Sequence, residues 1–294
     1  MKENSLGDVL VGVAGWSYGD WKGLAYEARE RDKLRFISRY VDCIEINSSF
    51  YRPLSPHIAE RWLGSVSEAG GFRFIAKLWQ RFTHRTEPPF SGTEVELFKE
   101  GLRPLKESGR LLALLVQFPF YFRNSKGNRE LLCRLADSFS EYERVVELRD
   151  RSWSVPDALQ FIAQLDYNVA CLDMPLTGSS FRETAIVTGP IGYLRLHGRN
   201  RAAWFSREAG RDEKYDYLYS DEEVEQQLHR VYQMQRRAQT VVVIWNNHFR
   251  AKAVVNAVQS IAKLRGCRVK APPLLVTAYP ELEAVAVPEP GRLF

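Results

Sequence analysis

The chain has 294 residues, 45% of them hydrophobic and 26% charged, with a net charge of +5. These values exclude a disordered chain or a disulfide-stapled miniprotein, and the length suits one large α/β barrel or two modest domains. The mild basicity, with a pI near 9.0, is compatible with an anionic ligand or nucleic acid and requires neither.

The four cysteines, Cys43, Cys133, Cys171 and Cys267, are widely spaced with no C-x-x-C pair, as expected of a reduced cytoplasmic protein that uses cysteine as a small hydrophobe. The opening "MKENSLGDVL" lacks the apolar core of a secretory signal. No apolar run approaches the ~18 residues that span a bilayer, so no membrane association is expected.

In chain order, β-branched apolar runs recur at 9–16, 43–50, 73–78, 111–118, 144–150, 168–174, 191–198 and 241–247. Helical spacing lies between most of them, as in Leu34/Ile37/Tyr40, Ile58/Trp62/Val66, Leu97/Leu102/Leu105 and Leu131/Leu135/Phe139. Ser154 with Asp157, and Ser220 with Glu223, carry the spacing of helix N-caps. A last crossover helix is expected over 250–264, stopping near Gly266, whereas 175–190 is irregular. Eight strands alternating with helices predict a single TIM-type (β/α)8 barrel of parallel strands over 9–266, with a C-terminal tail over 267–294. The absence of G-x-G-x-x-G after the first strand argues against a dinucleotide fold.

Successive strand residues face opposite sides, so parity sorts the polar groups. Glu45 and Asn47 oppose Ile44 and Ile46, and Glu147 and Arg149 oppose Val146 and Leu148. Arg195 and His197 oppose Leu194 and Leu196, Lys77 and Gln117 sit similarly, Asp173 shares a face with Cys171, and the eighth strand ends in Asn246-Asn247. The strand ends of a parallel barrel converge at its mouth, where such proteins place their sites. Read as inward, the charges balance: Glu45, Glu147 and Asp173 against Lys77, Arg149 and Arg195. A purely structural ion network is one reading, but burying six charges for stability alone is uncommon.

The stretches "VGVAGWSYGDWKG", "VDCIEINSSFYRP", "FIAKLWQRFTH", "LLVQFPFYF", "VVELRDRSW", "LDMP", "YLRLHGR", "YDYLYS" and "VIWNNHFRAKAVVNA" resemble the successive motifs of the YecE-like domain of unknown function 72 family. The resemblance runs from about Val11 to Ala262 and implies a TIM-type barrel without implying an established activity. The sequence departs from the family at Asp150, where histidine is more usual, and at "SSFYR" in place of "STFYR".

Three chemistries fit the inward set. The first is an enzyme acting on a small anionic molecule bearing phosphate or carboxylate. Glu147, Asp173, His197 and Glu45 are its acid/base groups, and Asn47, Lys77, Gln117, Arg149, Arg195 and Asn246 hold the substrate. No cofactor is expected in that case. The second is metal-assisted phosphodiester hydrolysis, with a divalent metal on Glu147, Asp173 and His197, although three cations beside it and the lack of a metalloprotease helix motif oppose it. The third is an anion- or nucleic-acid-binding module using the arginines and aromatics of 197–211, a loop that reads equally as a lid. His57 and His229 fall on helical patterns and are expected to be solvated, whereas His84 and His248 follow strands and reach toward the mouth. Trp16, Trp21, Phe50, Tyr51 and Trp153 follow strand ends, as a rim or as loop packing. Nothing in the sequence specifies an oligomeric state.

Overall fold

The eight apolar runs form eight strands of one closed, all-parallel barrel, paired in sequence order and closed by the first strand against the last. They are β1 (Asp8–Ala14), β2 (Cys43–Ile46), β3 (Arg73–Lys77), β4 (Leu111–Gln117), β5 (Arg144–Glu147), β6 (Tyr167–Asp173), β7 (Ile191–Leu196) and β8 (Thr240–Trp245). This computed structural model describes residues 6–289 apart from 86, 182–184, 207 and 211.

Two cores divide the strand side chains. Outward residues such as Val11, Ile44, Phe74, Val116, Val146, Leu194 and Val243 merge with the helix layer. Inward residues Ala14, Cys43, Ile75, Leu115, Val145, Ala170, Tyr193 and Ile244 fill the barrel. A barrel of eight strands has an interior just wide enough to be filled by side chains, which leaves no room for error at its tightest point. A Cβ on inward-facing Gly12 of β1 would lie 2.1 Å from the Cys43 carbonyl oxygen and 2.6 Å from its sulfur. Gly12→Ala is therefore expected to lose about 2–3 kcal/mol of stability through overpacking, read as a lower denaturation midpoint at unchanged slope.

Helices connect the strands because each buries one stripe against the barrel. Pro56–Ser65, Gly92–Glu107, Lys126–Ser138, Pro156–Gln164, Asp221–Gln235 and Lys252–Arg265 do so, with a single short turn at Lys33–Ile37 between β1 and β2. Between β6 and β7 the described residues form no helix, as the irregular composition there predicts. The reciprocal cap at Ser220 forms, its hydroxyl accepting from the Glu223 amide and its own amide donating to the Glu223 carboxylate. Gly266 ends the last barrel helix in the left-handed conformation, φ 61°, as a C-terminal stop requires. The Ser154 cap does not form. Pro156 occupies the first helical turn, so Val155 becomes the N-cap, and Ser154 instead ends the preceding 3-10 turn Arg151–Trp153. Leu97, expected on the buried stripe of its helix, is 54% exposed; Val95, Phe98, Leu102 and Leu105 carry that stripe.

The tail folds back. Strands β9 (Val269–Ala271) and β10 (Ala286–Pro288) pair in parallel, and Leu275, Leu282 and Ala286 are fully buried. The tail's last five residues, 290–294, lie outside the described set.

Candidate functional site

The inward polar residues form two layers at the C-terminal end of the barrel. The lower layer is a floor. Arg195 of β7 reaches across the barrel, donating from Nε to Glu45 Oε2 at 2.9 Å and from Nη2 to Glu45 Oε1 at 2.6 Å. Its Nη1 donates to Glu147 Oε2 at 2.7 Å and to Gln117 Oε1 at 3.3 Å. The Tyr193 hydroxyl, two residues earlier on the same face, donates to Glu45 Oε2 at 3.1 Å. Glu45, Glu147 and His197 are 0% exposed and Arg195 2%.

Burial at such depth opposes every charge. At Glu147 it works to raise the carboxyl, but the Arg195 and Arg149 guanidinium groups overcome it and hold the group well below the usual carboxylate range. At Arg195 burial likewise works against the charge, and Glu45 and Glu147 overcome it, so the guanidinium stays charged. Burial and the neighbouring Arg195 charge push His197 well below its ordinary value. The imidazole is therefore neutral and makes no ion pair with Glu147, whose Oε2 lies 3.9 Å from its Nε2. Asn246 Nδ2 approaches Nδ1 at 3.0 Å and Arg195 Nη1 approaches Nε2 at 3.5 Å. A neutral imidazole accepts at one nitrogen and donates at the other, so His197 bridges the Arg195 guanidinium and the Asn246 amide.

The upper layer is half-buried and reaches solvent. Arg149, just past β5, donates from Nε to Glu147 Oε1 at 2.8 Å, with Nη2 at 2.6 Å from the same oxygen, and lies over the Phe120 ring at 5.1 Å. Among the described residues its Nη1 meets no acceptor. Lys77 ends β3 with its Nζ 4.2 Å from the centre of the Phe50 ring. Among the described residues no carboxylate stands within ion-pair distance of that amine, and no acceptor bonds it. Burial, then the Arg195 charge, brings Lys77 down from 10.5 to about 7. His84 lies edge-on to Phe50 at 5.0 Å and is pushed down to about 4 by burial and by the Lys77 and Arg149 charges. Asn47 donates to the Tyr18 hydroxyl at 3.4 Å.

Asp173 departs from the expectation of an inward position. β6 pairs Cys171 with Leu194 and Asp173 with Leu196, the outward pair of β7, so Ala170 and Leu172 are the inward residues. Asp173 is held behind the barrel wall, accepting from Arg199 Nε at 2.8 Å and Nη2 at 2.7 Å, from the Tyr219 hydroxyl at 2.8 Å and from Gln227 at 3.3 Å. The trio Glu147, Asp173 and His197 is thus not assembled as one ligand set, and no cluster of three or more His, Cys, Asp or Glu suited to a metal occurs among the described residues. At the mouth the inward polar groups therefore come from β2, β3, β4, β5, β7 and β8. Without Asp173 the inward charges no longer balance: two carboxylates face three cations.

The eighth strand divides its two asparagines. Asn246 faces His197, and Asn247 turns outward, donating to the Tyr217 carbonyl and to Asn256 Oδ1. The 197–211 loop packs Trp204 near the mouth. Trp204 and Tyr215 stand 6.0 and 6.2 Å from the His197 ring, and Arg199 is committed to Asp173 and Glu223. Two of its arginines, Arg207 and Arg211, lie outside the described residues. His248 is stacked on Tyr18 at 4.4 Å and lies against Tyr215, while His57 and His229 are exposed. Trp21 and Trp153 are fully buried loop anchors, Trp16 packs on Trp62, and Tyr51 is 57% exposed. Asp150 caps the following 3-10 turn by accepting from the Ser152 amide.

Sequence parity missed Tyr193 and Tyr215. Tyr193 was within reach, since Tyr193, Arg195 and His197 alternate on one face; Tyr215 ends a single 3-10 turn, Asp212–Tyr215, too short to show a period.

A groove of about 700 Å³ lies at the opposite end of the barrel. Arg35 and Arg265 of its lining pair with Glu68 and Asp42, and Arg39 and Arg268 bond the Tyr40 hydroxyl and backbone carbonyls; that face of a parallel barrel serves stability more than chemistry. The mouth, with an unmatched amine and a spare guanidinium donor, is the stronger candidate. No helix among the described residues is long and apolar enough to cross a membrane.

Comparison with known proteins places this barrel among relatives whose folds have been solved. A DUF72 family protein from Thermotoga maritima MSB8 is 31% identical, with a TM-score of 0.78 over 88% of this chain and 99% of that one. A DUF72 family protein from Enterococcus faecalis V583 is 27% identical, with a TM-score of 0.77 over 87% of this chain and 95% of that one. The UPF0759 protein YunF of Bacillus subtilis is 27% identical over 270 residues, covering 87% of this chain and 94% of YunF. The family described as "Protein of unknown function DUF72" matches residues 10–277, and the chain belongs to it.

Proposed function

We propose that the protein is an enzyme acting on a small anionic molecule at the C-terminal mouth of the barrel, with Lys77 as its acid/base group and Arg149 as its anchor for phosphate or carboxylate. One observation carries this reading: the half-buried Lys77 amine has no counter-ion among the described residues and is brought down to about 7. An amine at that value exchanges protons readily at neutral pH, which is the property general acid–base catalysis needs. Arg149 supplies a fixed planar donor whose Nη1 remains for an incoming oxyanion. The excess of inward positive charge favours the same class of ligand.

Glu45, Glu147 and His197 take supporting roles in this reading. Both carboxylates are consumed by Arg195, and Glu147, held far below the usual carboxylate range, is a poor proton acceptor. They position Arg195 and Arg149 and set the field around Lys77. Gln117 and Asn246 border the same floor and orient Arg195 and His197.

The test is a turnover screen of phosphorylated and carboxylated metabolites with wild-type protein and with Lys77→Met. At least one compound should be turned over, with kcat/KM rising with pH through about 7 as the amine loses its proton. Lys77→Met should lower that rate by about 100-fold or more. Saturable binding of inorganic phosphate without turnover of any compound would replace the enzyme reading by a non-catalytic anion-binding one.

A further inference from the structure

We propose that Lys77 is a nucleophile that forms a protonated imine with a small aldehyde or ketone carrying a phosphate or carboxylate group. This rests on the preceding reading of the mouth and goes further by naming the substrate's functional group.

The geometry separates this amine from an ordinary ion-pairing lysine. Its Nζ sits over the Phe50 ring at 4.2 Å, with no carboxylate or other acceptor engaging it among the described residues. The other inward cations are spent: Arg195 on Glu45 and Glu147, and two nitrogens of Arg149 on Glu147. A lysine that only neutralised the floor carboxylates would point down to them, yet Arg195 already fills those positions. Cationic neighbours and partial desolvation instead keep a share of the amine neutral, its lone pair free, which is the arrangement that activates lysine toward carbonyl carbon.

The wall around it suits such a substrate. Phe50 and His84 present ring surfaces on one side. Arg149 enters from the other side with a free Nη1, itself braced on Phe120. The strands carrying Lys77 and Arg149 are separated by β4 alone, about 10 Å at strand spacing, so a molecule a few carbons long reaches both with its carbonyl and its anionic group.

The chemistry balances without a further reagent. The neutral amine's electron pair adds to the carbonyl carbon, forming the C–N bond as the C=O π pair moves to oxygen. The nitrogen gives a proton to that oxygen, yielding a carbinolamine. One solvent proton then lets the hydroxyl depart as water while the nitrogen pair closes the C=N bond. The net change is amine, carbonyl and one proton to iminium and water, with nothing oxidised or reduced.

Pyridoxal 5′-phosphate, an aldehyde and a phosphate on one small molecule, serves as the probe. The full-length protein is incubated with it, reduced with borohydride to fix any imine as a secondary amine, and mapped by peptide mass spectrometry. Lys77 should be labelled about 10-fold faster than any other lysine, reflecting its larger neutral fraction at pH 7. Labelling should be slowed by inorganic phosphate and be much slower with pyridoxal, which lacks the phosphate. Lys77→Arg, with an unchanged circular dichroism spectrum, should lose this fast adduct.

Labelling of Lys77 no faster than that of surface lysines overturns the imine. If the metabolite screen still finds Lys77-dependent turnover of a compound without a carbonyl, the acid/base reading stands while the imine falls. Equal labelling by pyridoxal, with no protection by phosphate, overturns the anionic substrate class and with it the anchor role of Arg149.

Discussion

Glu147→Gln is expected to destabilise the fold by about 3–5 kcal/mol at pH 7, because it leaves buried Arg195 and half-buried Arg149 facing a neutral group. Arg195→Met should be comparable, since it removes the ion-pair partner of Glu45 and leaves Glu147 with Arg149 alone. Urea denaturation of each variant measures the effect. Replacing the network with its outer guanidinium (Glu45→Leu, Glu147→Leu, Arg195→Met and Arg149→Met) should recover most of the loss, as buried ion networks exchanged for apolar groups commonly do. A loss below about 1 kcal/mol in both single variants would mean that water relaxes the cluster, and the floor would then not be rigid.

The acid limb follows from the same cluster. The folded-state pKa of Glu147 lies below its unfolded value, so its contribution is full above about 4.3 and is lost as pH falls below that toward the folded value. Glu147→Gln should flatten this part of the stability profile relative to wild type. A substitution that severs the floor thus reports on folding before it reports on chemistry, which makes Lys77 the cleaner probe of function.

Lys77→Met is expected to do the opposite of Glu147→Gln: it should remove turnover while stabilising the protein. The lysine's folded pKa, about 7, is depressed from 10.5, so between these values the unfolded chain binds more protons than the folded one. Wild-type stability therefore rises with pH across that window. Below pH 7 the penalty of a protonated amine that has the Phe50 ring but no carboxylate partner among the described residues is fully present. There methionine, of similar volume and without charge, should gain about 1–3 kcal/mol. The advantage should shrink as pH climbs from 7 toward 10.5 and the penalty disappears. Thermal denaturation at pH 6 and pH 9.5 measures both ends. A variant less stable than wild type at pH 6 would show that Lys77 has a stabilising partner and would remove the basis for an activated amine. Gain of stability on loss of activity is the usual mark of a residue kept for its chemistry.

Much of this barrel is legible in the sequence because its signals are local. Strand runs, helical stripes, the Ser220 cap and the Gly266 stop each depend on neighbours within a few residues. Parity also brings Glu45, Glu147, Arg195 and His197 to the inside, since each shares a face opposite obvious apolar residues. Parity fails at β6 for a definite reason. It says which residues share a face and leaves open which face is inward. In "ACLDM" both faces carry an acceptable core residue, and a rule that sends the polar group inward misplaces Asp173. Register against β7 decides, putting Cys171 and Asp173 with the outward leucines.

The sequence by itself determined eight strands, their alternation with helices, and a polar set at the strand ends, because two- and 3.6-residue periods follow from backbone geometry alone. Only the tertiary structure decided which polar groups are spent and which remain available. Closing the barrel brings β2 and β5 opposite β7, so Arg195 meets both carboxylates and buries them. That closure leaves Lys77, one layer higher, over the Phe50 ring and without a carboxylate or other acceptor among the described residues. The difference between a counter-ion and a reactive group here is a matter of depth and cross-barrel distance, and neither quantity is written in local sequence.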